Sequence, residues 1–502
     1  MAIKHIICYL LFMGNSVFIT IQNEDRICSA IESKQEETVL SSFIRAGISV
    51  SAPCGGRGIC RRCVLKLLKG KVRLKSGLKN GAEISPGDSF PACQAFPLSD
   101  ITVARESVLS APLSVMQKGK MNSRPDGVKR AGAALDIGTT ALQAYLIDLD
   151  TGEFLDTYAA LNDQRSFGAD VMSRISAAKN GKLDELFFAV NRQTEKILAH
   201  FISKWNLDGI EQCSVSGNTV MLHIFCRADP CGMGEAPYTP LFLEERHFNG
   251  SELSISARRI TLLPGISAFM GADITAGLAF IDIMNKKENS LFIDIGTNGE
   301  MAAWIESEKR LLCCSAAAGP CFEQAHISCG MSGSDFIDTI ALMIRKGVID
   351  KTGALAEQYL EPALGGFKTD IPGGIVTQKD VREFQLAKSA LYSGIITLCD
   401  EAGFKPRDIG SVYIAGAFGF YINLENAVRT GLFPRFFSGG AEDKNPAAGC
   451  AVCGNTSLMG AATSVTDPSF LQRCRGIIER CSIIDLAKSP VFAREFAANM
   501  WF

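Results

Sequence analysis

Histidine is scarce in this chain of 502 residues, with five in all, and tryptophan scarcer still, with three. So few imidazoles exclude a histidine-rich metal site. His223, within the helix-like run VMLHIF, and His326, in a glycine-bounded loop, read as core and loop residues instead. A surplus of charge is missing too: 51 basic residues face 53 acidic ones, so no broad electrostatic footprint for nucleic acid or anionic lipid is present. No apolar run reaches the ~20 residues that an ordinary membrane span needs. The apolar stretch Ile6 to Met13 follows Lys4 and His5 in the outline of a signal peptide, but it is short, Gly14 and Asn15 interrupt it, and no A-x-A site follows. Residues 1–16 therefore read as an N-terminal extension, with a targeting segment as the other reading. A P-loop is excluded, because G-x4-G-K-[ST] does not occur.

Cysteine is plentiful, at eighteen. A secreted disulfide framework belongs to short chains that lack a core, whereas this length supports three or four domains with ample apolar area to bury. Most of the cysteines sit in apolar contexts, which points to a reducing, cytoplasmic compartment. Four are different. CGGRGICRRC carries Cys54, Cys60 and Cys63, and PACQA carries Cys93 after 29 intervening residues. Gly55, Gly56 and Gly58 let the backbone turn tightly and aim amides at sulfur. A zinc ribbon takes two Cys-x2-Cys knuckles and only one is here, while a plant-type [2Fe–2S] loop takes C-x4-C-x2-C and one distant cysteine; the first gap is one residue longer in this chain. Around the loop, VFITIQNEDRICSAI reads as a hairpin and QEETVLSSFIRAG as a helix with acids in its first turn and Gly47 after its end. VLKLLKGKVRL and DITVARE read as further strands. The unit is β-grasp-like and resembles an adrenodoxin-type ferredoxin, which implies a [2Fe–2S] cluster on Cys54, Cys60, Cys63 and Cys93.

Beyond a polar, aperiodic linker the sequence repeats itself. LDIGTTALQAYLID at 135–148 aligns with IDIGTNGEMAAWIE at 293–306, placing Asp136 over Asp294, 158 residues apart. VSGNTVM at 215–221 and IAGAFGF at 414–420 form a second pair, each a strand running into a glycine turn. Two such turns facing one another can present backbone N–H groups and hydroxyls to the phosphates of one nucleotide, with the two aspartates holding Mg²⁺ directly or through water. The arrangement resembles the duplicated, RNase H-like α/β ATPases of the acetate and sugar kinase, Hsp70 and actin superfamily. That resemblance implies a first phosphate loop with Asp136, Gly138, Thr139 and Thr140, a second with Asp294, Gly296, Thr297 and Asn298, and an adenosine loop with Gly416 and Gly419.

The ferredoxin unit and the duplicated ATPase together resemble one family, the ATP-dependent reductive activators of corrinoid proteins. NDQRSFGADVMSRI, SGNTVMLHIF, APYTP, AAGPCFEQAHISCGM and IVTQKDVREFQLAK extend the match; Cys321 before Phe322, Glu323 and Gln324 departs from it. The resemblance implies one-electron transfer from the cluster to a corrinoid protein, Co(II) to Co(I), with an electron donor the sequence does not name and a possible homodimer. Plant-type centres lie near about −400 mV, and a shortfall of roughly 200 mV costs about 4 to 5 kcal/mol per electron, which ATP can supply. Alternatives are a small-molecule kinase, with Asp294, Glu300 or Glu323 as base, and a chaperone-like ATPase with a redox-sensing ferredoxin domain. Cys313, Cys314, Cys321, Cys329 and the pair Cys450 and Cys453 invite a second cluster, as in activators of radical dehydratases, but read as small buried hydrophobes. Arg382 and Lys388 share a helix with Gln378 and Gln385, near nucleotide or on a solvated face. The expected organisation is an extension at 1–16, a ferredoxin-like domain at 17–105, a linker at 106–130, and ATPase halves at 131–290 and 291–502.

Overall fold

The computed structural model describes residues 17–23, 26–34, 37–46, 63–75, 83–104, 130–322, 333–359, 366–368, 375–416, 422–437 and 449–502. Cys54, Cys60, Cys329, Glu323, His326, Gly419 and residues 106–129 of the expected linker lie outside them. The chain divides into two compact units, one of Met1–Ser114, Ala160–Gln193 and Asp229–Gly234, the other of Val115–Ala159, Thr194–Ala228 and Glu235–Phe502.

In the first unit β1 (Val17–Asn23) and β2 (Arg26–Ser33) form an antiparallel hairpin, followed by α1 (Val39–Ala46). Then come β3 (Val64–Lys69), β4 (Val72–Leu74), β5 (Glu83–Ile84), β6 (Ser89–Pro91), β7 (Ala95–Pro97) and β8 (Ile101–Ala104). The main sheet has the order β2-β1-β8-β3-β6, with β8 parallel to β1, which is the ferredoxin β-grasp. Val39, Leu40 and Phe43 of α1 bury against the core that holds Ile19, Leu65, Leu67 and Val103. The apolar spacing located the helix, but the acids precede its first turn. Thr38 Oγ1 accepts the Ser41 N–H at 3.1 Å, and Glu37 pairs with Arg45 at 2.9 Å, tying one end of the helix to the other.

The second unit repeats one sheet twice. β9 (Ala131–Ile137), β10 (Ala141–Asp148), β11 (Phe154–Leu161), β12 (Ile210–Gly217), β13 (Arg246–Asn249) and β14 (Ala257–Leu262) take the order β11-β10-β9-β12-β14-β13. β15 (Asn289–Ile295), β16 (Gly299–Ile305), β17 (Arg310–Ala316), β20 (Ile409–Ala415), β21 (Gly449–Gly454) and β22 (Cys481–Ile483) take the order β21-β20-β15-β16-β17-β22, while β18 (Gly366–Lys368) and β19 (Ile375–Thr377) pair apart. Strands β11, β10, β9, β12 and β14 thus match β17, β16, β15, β20 and β21 in order. In each copy an antiparallel hairpin, β9–β10 or β15–β16, is continued by two parallel strands.

The helices are α2 (Val171–Ala177), α3 (Leu183–Trp205), α4 (Thr219–Phe225), α5 (Gly250–Leu253), α6 (Ala272–Phe280), α7 (Gly333–Arg345), α8 (Gln378–Glu401), α9 (Leu424–Arg429), α10 (Thr456–Thr466), α11 (Phe470–Arg480) and α12 (Pro490–Ala498). Although α10 follows β21 of the second sheet, it packs on α6, β9 and β12 of the first. The chain returns to the second sheet at β22, which pairs in parallel with β17. No described helix is long and apolar enough to cross a membrane.

Candidate functional site

Each repeated sheet ends its first strand on the same pattern. Asp136 is the next-to-last residue of β9, paired across to Gln143 and Ser216; Asp294 is the next-to-last residue of β15, paired to Glu300 and Ala415. The turns that follow are Gly138–Thr140 and Gly296–Asn298. A Cβ on Gly138 would lie 2.8 Å from Ala141 O, and Thr140 Oγ1 is buried without a hydrogen-bond partner among the described residues. An orphan hydroxyl beside a turn that admits only glycine suits a phosphate group. Gly416, after β20, has φ +102°, and a Cβ there would lie 2.3 Å from Ile295 O and 2.9 Å from Asp294 Oδ1. The third glycine turn therefore closes against the second.

Two carboxylates join the aspartates expected from the sequence. Asp273, in the first turn of α6, and Glu300, at the start of β16 and paired with Asp294, lie within electrostatic reach of the two aspartates. Among the described residues none of the four has a cationic partner. Burial pushes the Asp294 carboxyl up to about 8, with the charges of Asp273 and Asp136 adding to it. Burial and the charge of Asp136 push Asp273 up to about 7. Glu300 is raised well above the ordinary range by burial, then by Asp273 and Asp294, against a hydrogen bond from Asn298. Asp136 is raised by burial but held down by Asn455 and Ser457, whose Nδ2 and Oγ donate to Oδ2 and Oδ1, each at 2.8 Å. Asp294 has no such donor among the described residues.

Four acids without a cation form a site for positive charge. Among the described residues no three His, Cys, Asp or Glu side chains converge closely enough to ligate an ion by themselves. Glu300 was legible as an acid near a phosphate turn. Asp273 was missed, although a lone aspartate opening the apolar helix ADITAGLAF is the kind of buried charge that marks a site. Asn455 and Ser457 were missed as well; their signal is the triplet Gly-Asn-Thr, which occurs between strand and helix both at 217–219 and at 454–456.

In the first unit Cys63 lies immediately before β3, and Cys93 sits in the short helical turn between β6 and β7. Both are buried. The Ala92 N–H donates to Cys63 O at 2.7 Å, and the Cys93 N–H points at Cys63 Sγ at 3.5 Å, which brings the two thiols together and aims an amide at sulfur. Hydrogen bonding between the two thiols, then burial, raises the Cys63 pKa strongly. An amide aimed at sulfur is the kind of bond that tunes an iron–sulfur cluster. Cys93 also lines a cavity of about 660 Å³ bounded by Leu40, Ile44, Phe167, Phe188 and Arg192.

The other candidates resolve plainly. Cys313, Cys314 and Cys321 are buried core residues, Cys450 and Cys453 lie half-buried on β21 at the edge of its sheet, and the described cysteines offer no second cluster site. His223 is fully buried in α4, its Nδ1 against Thr219 O and its Nε2 accepting the Leu241 N–H. Lys388 is on no solvated face: it is buried, and its Nζ donates to Asn499 O at 2.5 Å and Trp501 O at 2.6 Å.

Comparison with known families accounts for this arrangement. Residues 23–98 match a 2Fe-2S iron-sulfur cluster binding domain, 131–286 the RACo middle region, and 288–335 with 331–502 the C-terminal domain of RACo, the ASKHA domain. The chain is 26% identical to the corrinoid activation enzyme RamQ of Eubacterium limosum, over 94% of this chain and 97% of that protein. It is 28% identical to the [Co(II) methylated amine-specific corrinoid protein] reductase of Methanosarcina barkeri, over 68% of this chain and 71% of that one. Among solved structures it resembles a reductive activator for corrinoid, iron-sulfur protein, with a TM-score of 0.67 at 21% identity over 97% of this chain and 98% of that one, a likeness of fold. Carrying a 2Fe-2S domain ahead of both RACo regions, whose matches together span nearly all of residues 131–502, the chain belongs to the RACo family of ASKHA-domain proteins.

Proposed function

We propose that this protein is an ATP-hydrolysing iron–sulfur activase of the cytoplasm that passes one electron from a [2Fe–2S] cluster to a corrinoid protein, reducing Co(II) to Co(I). One observation carries the reading: a single chain joins a cluster-binding domain to a duplicated ATPase with an acidic cleft, and relatives matched over most of their length are named for corrinoid activation. Cys54, Cys60, Cys63 and Cys93 hold the cluster. Gly138, Thr139 and Thr140 with Gly296, Thr297 and Asn298 receive the phosphates, and Gly416 and Gly419 flank the adenosine. Asp136 and Asp294 would hold Mg²⁺ directly or through water, with Asp273 and Glu300 completing the negative field. The donor is a cellular reductant, and the family resemblance supports a homodimer.

Coupling to ATP makes the uphill electron step possible. Nucleotide energy alters the arrangement of the domains around the acceptor, which is where the missing driving force is supplied. Anaerobic purification followed by visible spectra, iron and sulfide counts, and ATPase assays with and without a Co(II) corrinoid protein test the proposal. A red-brown protein with two irons whose ATPase rises with the corrinoid protein is expected. A colourless zinc protein, or an ATPase indifferent to corrinoid proteins, overturns it.

A further inference from the structure

Asp136 is held by residues that belong to a different part of the chain. Asn455 joins β21 of the second sheet to α10, the helix that packs on the first sheet, and Ser457 lies in the first turn of that helix. Gly454 leads into this junction at φ +68°, and its carbonyl accepts the Gly416 N–H at 3.1 Å, so the crossover also touches the third glycine turn. Asn455 uses both ends of its amide: Oδ1 caps α10 by accepting the Leu458 N–H at 2.8 Å, while Nδ2 donates to Asp136 at 2.8 Å and lies 3.3 Å from Gln143 Oε1. Ser457 Oγ donates to Asp136 Oδ1 and also lies 2.9 Å from Ser216 Oγ, the residue paired with Asp136 across β12.

We infer that Asn455 and Ser457 are positioning residues for Asp136 that register the strand-to-helix crossover against the nucleotide cleft. Both carboxylate oxygens are taken by this junction, one by the helix cap and one by the first turn of α10. The rotamer of Asp136, and with it the place of the water or metal it presents, is therefore set by the crossover segment and not by β9 alone. Capping by itself does not account for the contact, because Asn218 caps α4 from the equivalent triplet through Val220 N–H and makes no bond to an aspartate among the described residues.

The inference rests on the ATPase reading, and a paired experiment separates the two. Asn455→Asp keeps a good helix cap but replaces the donor with a carboxylate facing Asp136, while Ser457→Ala removes the other donor. In the full-length holoprotein each is expected to lower kcat for ATP on the order of 10- to 100-fold, with KM changed about threefold or less, and Ser457→Thr is expected to restore kcat. Neither Asn455→Asp nor Ser457→Ala should lower kcat further in an Asp136→Ala background. The second readout is the urea midpoint: Asn455→Asp lowers it, and adding Asp136→Asn, which restores a donor opposite the new carboxylate, raises it again. Unchanged kcat in both variants, equal losses in the Asp136→Ala background, or a midpoint that Asp136→Asn does not raise overturns the inference. Wild-type protein without ATP turnover sinks the ATPase reading alone, and the midpoint cycle still decides whether the contact positions Asp136.

Discussion

At the residue scale the cleft is a proton store in the absence of metal. Asp294 and Asp273 titrate near 8 and 7, far above an ordinary aspartate, because burial and mutual repulsion disfavour their charged forms. The folded protein therefore keeps protons that the unfolded chain gives up near pH 4. This contribution to stability is complete below about pH 4 and is lost as pH rises through 7 to 8. The melting temperature of metal-free protein should fall between pH 5 and 9 at constant ionic strength, and Mg²⁺ with ATP should flatten the slope by supplying positive charge in place of protons; a flat metal-free profile refutes this. The thiols give a second expectation at this scale. Cys63→Ser and Cys93→Ser should each abolish the visible absorption of anaerobically prepared protein while leaving nucleotide affinity within about twofold, as read by titration with a fluorescent ATP analogue.

At the element scale α8 shows how a pattern can be right while its consequence is hidden. The period of QKDVREFQLAKSAL gives the helix and the face that Val381, Phe384 and Leu391 bury, but Lys388 falls on the same side. Its charge is tolerated there because Asn499 and Trp501 offer carbonyls and the Phe502 ring lies 4.9 Å away, partners more than a hundred residues along the chain. Lys388→Ala should cost about 2 to 4 kcal/mol by loss of two charge-assisted hydrogen bonds, measured as a lower denaturant midpoint. The same limit explains what was and was not legible elsewhere. Repeats, glycine turns and cysteine spacing are local or self-similar, so the β-grasp sheet, both copies of the ATPase sheet and the aspartates at their strand ends could be read directly. Asn455, Ser457 and Asp273 reach the cleft only through the crossover of α10 and the packing of α6, which no local period encodes.

At the scale of the whole molecule two chemistries share one chain and should separate cleanly by substitution. Asp136→Ala should retain the full visible spectrum of the cluster while losing at least about tenfold in nucleotide affinity, and with it all ATP-dependent reduction of an added Co(II) corrinoid protein. Retained reduction in that variant would show that the electron needs no nucleotide. The duplicated sheets also differ where they look most alike. Asp136 is fastened at both oxygens, whereas Asp294 stands across from it with no donor among the described residues. A cation entering between them meets one carboxylate already satisfied at both oxygens and one whose charge it would have to balance itself, so a frame built from two copies of a single unit acquires a front and a back.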